Sequence, residues 1–223
     1  LIGGLDNDFL EGSGGVDTLD GSAGNDTLDG GAGNDTLAGG VGNNTYLFGR
    51  GDGQDVLNSA YDSTVGRINT IQFKAGVAPS DIVARRLTDW GNEYLELSIV
   101  GTTDKLSARY CFRDSDPTAY YNPVQQVRFD DGTTWDLTAI VAKVLTGTSG
   151  DDTITGTVVG DTIDGAAGND TLAGGGGDDL VVGVRVLPRR LAPARLAPPT
   201  ARVGASSSSP ARRRNVAPGG VAG

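Results

Sequence analysis

The feature that most constrains this chain is a nine-residue period. Gly12 to Asp20 reads GSGGVDTLD, Gly21 to Asp29 reads GSAGNDTLD, and Gly30 to Ala38 reads GGAGNDTLA. Before them stands GGLDNDFLE from Gly3, and after them GGVGNNTYL from Gly39. A second run opens at Gly147 with GTSGDDTIT and continues as GTVVGDTID, GAAGNDTLA and GGGGDDLVV from Gly156, Gly165 and Gly174. Glycine opens all nine units. The sixth position is aspartate in eight of them: Asp8, Asp17, Asp26, Asp35, Asp152, Asp161, Asp170 and Asp179, with Asn44 as the ninth. The eighth is always apolar: Leu10, Leu19, Leu28, Leu37, Tyr46, Ile154, Ile163, Leu172 and Val181.

One apolar residue in nine cannot make the stripe that an amphipathic helix needs every 3.6 positions. A fixed short period indicates a stacked array in which each unit contributes one turn to a shared core. Glycine supplies the tight turns, because it alone takes positive φ without steric cost. The three residues around the apolar position then form a short strand with one inward side chain. Stacking places the apolar groups in columns and the aspartates along the edges, beside glycine carbonyls that no Cβ screens. Carboxylate and carbonyl oxygens together are the donor set that Ca²⁺ prefers.

The unit GGxGxDxUx resembles the calcium-binding repeat of the repeats-in-toxin (RTX), or haemolysin-type, proteins. That resemblance implies an all-β fold, a parallel β-roll that binds several Ca²⁺ ions, with the eight aspartates as metal ligands. It also implies that successive turns alternate between two edges, so that each ion lies between turns two units apart. Asp8, Asp26 and Asn44 would share one edge, and Asp17 and Asp35 the other. The site between Asp26 and Asn44 would be the weakest, since Asn44 offers only a neutral amide oxygen. Each turn buries one Leu-sized group, worth roughly 1.5–3 kcal/mol, against roughly 1–2 kcal/mol per ordered backbone. The arrays are therefore expected to be disordered without calcium and to fold with it.

Residues 48–145 lose the period. Tyr94 to Val100 alternates through Leu95, Leu97 and Ile99, and Leu106 to Phe112 through Leu106, Ala108, Tyr110 and Phe112. Val127 and Phe129 precede Asp131-Gly132, a hairpin signal. Asp136 can cap a short helix whose apolar face is Leu137, Ile140, Val141 and Val144. This reads as a small antiparallel β unit closed by a short helix. The stretches Asn44 to Asp55 and Phe129 to Trp135 resemble the haemolysin-type calcium-binding-related domain that accompanies such repeats. The organisation expected is thus a first array over 1–47, that domain over 48–145, a second array over 146–183 and an Arg/Pro-rich disordered tail over 184–223.

Charge follows the same division. The chain carries 28 acidic and 18 basic residues, net −10, yet its last forty residues hold eight arginines and no acid. There is no histidine, and Cys111 stands alone, which excludes histidine catalysis, internal disulfides and zinc sites built on His or several Cys. No HExxH, GxSxG or phosphate-cradling motif occurs, so no catalytic residues are assigned and the chain reads as a non-enzyme. Glu93 and Glu96 read as solvated strand faces. Arg50-Gly51-Asp52 spells an integrin tripeptide but reads as a glycine-rich turn. Asp6-Asn7-Asp8 begins like an EF-hand loop, but Leu10 occupies a ligand position. The tail lacks the aromatics of a nucleic-acid surface, and no apolar run approaches membrane-spanning length. The resemblance implies a secreted, extracellular protein, although no export signal is visible in these residues. The function expected is that of a calcium-dependent folding and stabilising module attached to further domains upstream. The alternative is the C-terminal part of a secreted RTX enzyme (peptidase, lipase or polysaccharide-modifying) or of a large adhesin.

Overall fold

A computed structural model describes residues 1–58, 62–89 and 92–184. Apart from Val184, the stretch read as a disordered tail lies outside the described residues. The chain winds as a parallel β-roll in which each turn stacks on the turn two units away. Phe9–Glu11, Thr27–Asp29 and Thr45–Phe48 pair in parallel with Leu10 opposite Leu28 and Leu28 opposite Tyr46. Ile2–Gly4, Thr18–Ser22 and Thr36–Ala38 pair on the other face with Leu19 opposite Leu37. Because the side-chain period of a strand is two, the single apolar residue of each triplet faces inward while its neighbours face out. Leu19, Leu28 and Leu37 are fully buried.

Both faces of the first array run on without a break into the middle region. One seven-stranded sheet continues from Thr36–Ala38 to Gln54–Leu57 and Lys105–Arg109 in parallel, and then to Asn92–Ile99 and Ile82–Asp89 antiparallel. One six-stranded sheet continues from Thr45–Phe48 to Thr70–Phe73 and Gln126–Arg128 in parallel, closing on Thr134–Asp136 antiparallel. The antiparallel unit expected from the alternating stretches is therefore present as two hairpin-like endings, one on each face of the roll. The alternation starting at Leu106 ends early, because Tyr110 takes φ 63° and leaves the strand.

The inward column on the second face is Leu10, Leu28, Tyr46, Ile71, Val127 and Trp135, in register across all six strands. Aromatic packing thickens it where the roll ends. The rings of Phe73 and Phe129 stack at 5.1 Å, and Trp135 meets Phe129 edge-on at 4.8 Å. Helix Leu137–Val144 covers this end through Ile140 and Val144, and the Asp136 carboxylate accepts the Ala139 N–H at its N-cap.

The second array repeats the roll in four turns. Thr153–Thr155 pairs with Thr171–Ala173, and Thr162–Ala167 with Leu180–Val184, all in parallel. The junction of its first and second turns is tied to the middle region by Arg86, whose guanidinium donates to the carbonyls of Thr155 (3.1 Å) and Gly156 (2.6 Å).

Leu28 sits between Leu10 and Tyr46 with no exposed surface, whereas Leu5 is 87 % exposed. Leu28→Ala is expected to lower stability by about 2–5 kcal/mol in calcium-saturated urea denaturation. Leu5→Ala should leave it unchanged; equal effects of the two would contradict the column.

Candidate metal sites

The sixth-position aspartates use their two oxygens differently. One holds the stack together: Asp26 Oδ1 accepts the backbone N–H of Asp8 at 2.9 Å, and Asp35 Oδ1 accepts that of Asp17 at 2.8 Å. The spacing of 18 residues sets two separate rows, Asp8 and Asp26 with Asn44 on one, Asp17 with Asp35 on the other. The other oxygen is buried and has no hydrogen-bond partner in Asp8, Asp17, Asp26, Asp35 and Asp55. A buried carboxylate oxygen without a donor costs free energy unless a cation or a proton meets it.

Those of Asp8, Asp17, Asp26 and Asp35 point into a cradle that only glycine leaves open. A Cβ added at Gly3 would lie 2.6 Å from Asp8 Oδ2 and 2.9 Å from the Gly21 carbonyl oxygen. At Gly12 it would lie 2.8 Å from Asp17 Oδ2 and 2.5 Å from the Gly30 carbonyl oxygen. Carboxylate and carbonyl oxygens thus converge with no N–H between them. Among the described residues no three His, Cys, Asp or Glu side chains gather at one point. The donor set is instead one carboxylate per turn supplemented by main-chain carbonyls, the hard-oxygen environment that suits Ca²⁺. The residues present fit that ion.

Two members of the rows were not legible as part of the period. Asp55 receives the N–H of Asp35 at 2.9 Å, Gly53 bridges Gly33, and Leu57 faces Leu37. Arg50 to Asn58, RGDGQDVLN, is therefore a tenth unit, displaced by the insertion of Phe48 and Gly49. Its signal was the Gly-x-Gly-x-Asp-x-Leu spacing, which survives the change of register. This also disposes of the integrin reading. Asp52 is 7 % exposed and pairs with Lys74 at 2.9 Å, and Arg50 pairs with Asp81 at 2.9 Å. The second addition is Asn69, whose Oδ1 accepts the N–H of Asn44 at 2.8 Å; its own N–H passes to Gln125 Oε1 at 2.9 Å. Asn69-Thr70-Ile71 copies the Asp-Thr-Leu of the repeats with an amide in place of the acid.

The amide changes the chemistry of the fifth turn. Asn44 Nδ2 donates to the Gly40 carbonyl at 3.4 Å, and the Tyr46 hydroxyl accepts the Gly39 N–H at 3.1 Å. The space that would take a cation elsewhere is here lined by donors. In the second array Asp170 Oδ1 accepts the N–H of Asp152, and Asp179 Oδ1 that of Asp161, both at 3.0 Å, so the same stacking bond recurs. The two glutamates expected to be solvated are both in ion pairs, Glu93 with Arg86 and Glu96 with Lys105. Burial pushes the Cys111 thiol well above its ordinary range and leaves it unreactive.

Burial also raises the Asp26 carboxyl above the usual carboxylate range, with Asp8 and Asp20 adding repulsion. It pushes Asp55 up to about 7, with Asp35 and Asp52 contributing. A carboxyl whose pKa is higher folded than unfolded keeps its proton in the fold where the unfolded chain has lost it. What these two carboxyls contribute to the calcium-free fold is full below their ordinary range and is lost as pH climbs towards 7. Far-UV circular dichroism in chelator should accordingly show β signal falling between pH 5 and pH 7.5. Calcium at pH 7.5 should restore it, and a pH-invariant signal would exclude the effect.

With the cradles defined, the class of protein is a calcium-binding parallel β-roll. Residues 1–28, 11–46, 20–57, 144–157 and 156–183 match the RTX calcium-binding nonapeptide repeat. Residues 95–139 match the haemolysin-type calcium binding protein related domain. The two arrays are RTX calcium-binding repeats, and they flank a domain of the haemolysin-related type. No curated protein matches the chain. Among solved structures it is similar to the extracellular lipase LipA from Serratia marcescens, at 20% identity and a TM-score of 0.30 over 80% of this chain. The match covers 26% of the lipase, so this chain spans about a quarter of that protein's length.

Proposed function

We propose that this chain is a calcium-dependent folding and stabilising module of a secreted protein. In this reading Asp8, Asp17, Asp26, Asp35, Asp152, Asp161, Asp170 and Asp179, joined by Asp55, supply the carboxylate ligands. The observation that carries it is the set of five buried carboxylate oxygens without a donor, three of which (Asp8, Asp17 and Asp26) face glycine carbonyls. Calcium would neutralise each row and bridge one turn to the next, adding the stabilisation that a single buried Leu per turn does not provide. The repeats themselves are non-catalytic. Among the described residues no helix is long and apolar enough to cross a membrane.

Extracellular oxygen-ligand modules commonly bind calcium at about 10⁻⁴–10⁻³ M. In that range the far-UV β signal of the chain should grow with calcium and collapse on chelation. Magnesium should substitute poorly, because it demands a tight octahedron and sheds water reluctantly. A spectrum indifferent to chelator at neutral pH would overturn the proposal. Within the first array Asp26 lies between two turns of its row, whereas Asp8 is the first rung. Calorimetric titration of Asp26→Ala should therefore show more sites weakened than that of Asp8→Ala. Asn44→Asp should tighten binding at the fifth turn by replacing an amide donor with an oxygen.

A further inference from the structure

The turns of the two arrays do not treat the second carboxylate oxygen alike. At position two of the unit the backbone is left-handed in seven turns: Gly4, Ser13, Ser22, Gly31, Gly40, Ala166 and Gly175. The two others are Thr148 and Thr157, and β-branched residues are outliers in that region. Where the turn is left-handed and the preceding unit ends in aspartate, the position-two N–H turns back to that residue. Ser22 donates to Asp20 at 2.9 Å, Gly31 to Asp29 at 3.1 Å and Ala166 to Asp164 at 2.9 Å. The residues before the two threonine turns are Thr146 and Thr155, which have no carboxylate to offer.

In these turns the N–H goes to the sixth-position aspartate instead. Thr148 N–H donates to Asp152 Oδ2 at 2.6 Å, and its hydroxyl donates to the same oxygen at 2.9 Å. Thr157 N–H donates to Asp161 Oδ2 at 2.5 Å, and its hydroxyl reaches Oδ2 at 3.0 Å and Oδ1 at 3.2 Å. Each hydroxyl also accepts an N–H two residues on, from Gly150 at 3.2 Å and from Val159 at 3.4 Å. The oxygen that is bare in Asp26, Asp35 and Asp55, each 1 % exposed, is thus doubly hydrogen-bonded in Asp152 and Asp161.

We propose that calcium loads this protein in two stages, the turns of Asp8, Asp17, Asp26, Asp35 and Asp55 first and those of Asp152 and Asp161 second, with Thr148 and Thr157 setting the gap. The inference rests on the reading of the aspartates as calcium ligands. An ion entering the first array meets bare oxygens and relieves an existing penalty. An ion entering the threonine turns must first displace two donors from the carboxylate it needs. Removing one hydrogen bond to a charged group is worth about tenfold or more in affinity.

The test is calorimetric titration of the full chain with calcium at pH 7.5. The wild-type isotherm should show two phases separated by about tenfold or more in affinity. In the double variant Thr148→Gly/Thr157→Gly, which installs the residue most common at that position, the weak phase should tighten by that factor and merge with the first. The opposite transplant, Ser13→Thr, should weaken one site of the strong phase, and it decides the matter should the glycine pair not fold. Far-UV circular dichroism at saturating calcium reports folding of every variant. A single-phase wild-type isotherm, or a weak phase that the glycine pair leaves in place, overturns the two stages while calcium binding stands. Absence of any calcium heat or spectral change overturns the ligand reading as well.

Discussion

A buried carboxylate oxygen with no donor is the constraint on which the rest of this structure depends. Asp26, Asp35, Asp55, Asp170 and Asp179 are each fixed by one oxygen, which receives the N–H of the turn above it. In Asp8, Asp17 and Asp26 the second oxygen lies in a glycine-lined cradle faced by a carbonyl. Two acceptors cannot satisfy each other, and uncompensated buried charge costs several kcal/mol. The same bond that builds the stack therefore creates the demand for a cation. At Gly3, Gly12 and Gly21 glycine is required for that reason: a Cβ there would occupy the space between the oxygens.

Away from the Leu1 end, the chain meets that demand progressively from its own groups. The row that begins Asp8 and Asp26 continues through Asn44 and Asn69 to Gln125, keeping the acceptor that holds the stack and replacing the charged oxygen with an amide nitrogen. Lys74 reaches Asp29 at 2.7 Å and Asp52 at 2.9 Å, a fixed cation where the roll passes into the middle region. Both carboxylates hold its ammonium above its ordinary pKa although burial opposes this. Arg86, packed over Phe112 and paired with Glu93, gives its remaining donors to the carbonyls of the second array. Side-chain cations and amides thus stand at the joints, and the turns of the first array are left with bare oxygens.

Much of this was legible in the sequence because the repeats state it nine times over. The period alone placed Leu10, Leu19, Leu28 and Leu37 inside, the aspartates in rows and the glycines at the turns. Asp136 was readable as a helix cap, and Asp131-Gly132 as the turn between Gln126–Arg128 and Thr134–Asp136. What escaped was whatever depended on distance along the chain. Asp55 is 20 residues from Asp35 rather than 18, so a fixed period steps past it. Asn69 is 25 residues from Asn44, and Gln125 is 56 from Asn69. Glu93 reads as a solvated strand residue until Arg86 is seen beside it on the neighbouring strand, two pairs away in register. The threonines at 148 and 157 look like ordinary variation at a tolerant position, because their effect operates through φ.

The succession Asp8, Asp26, Asn44, Asn69, Gln125 gives the molecule a direction. Every early rung is charged and every late one neutral, while a single apolar column runs beneath them all. Within this row the demand for a cation therefore falls with distance from the Leu1 end. Ile71, Val127 and Trp135 carry that column on beneath the neutral rungs. Along one row the protein thus grades from turns that call for an ion to turns whose own amides close them.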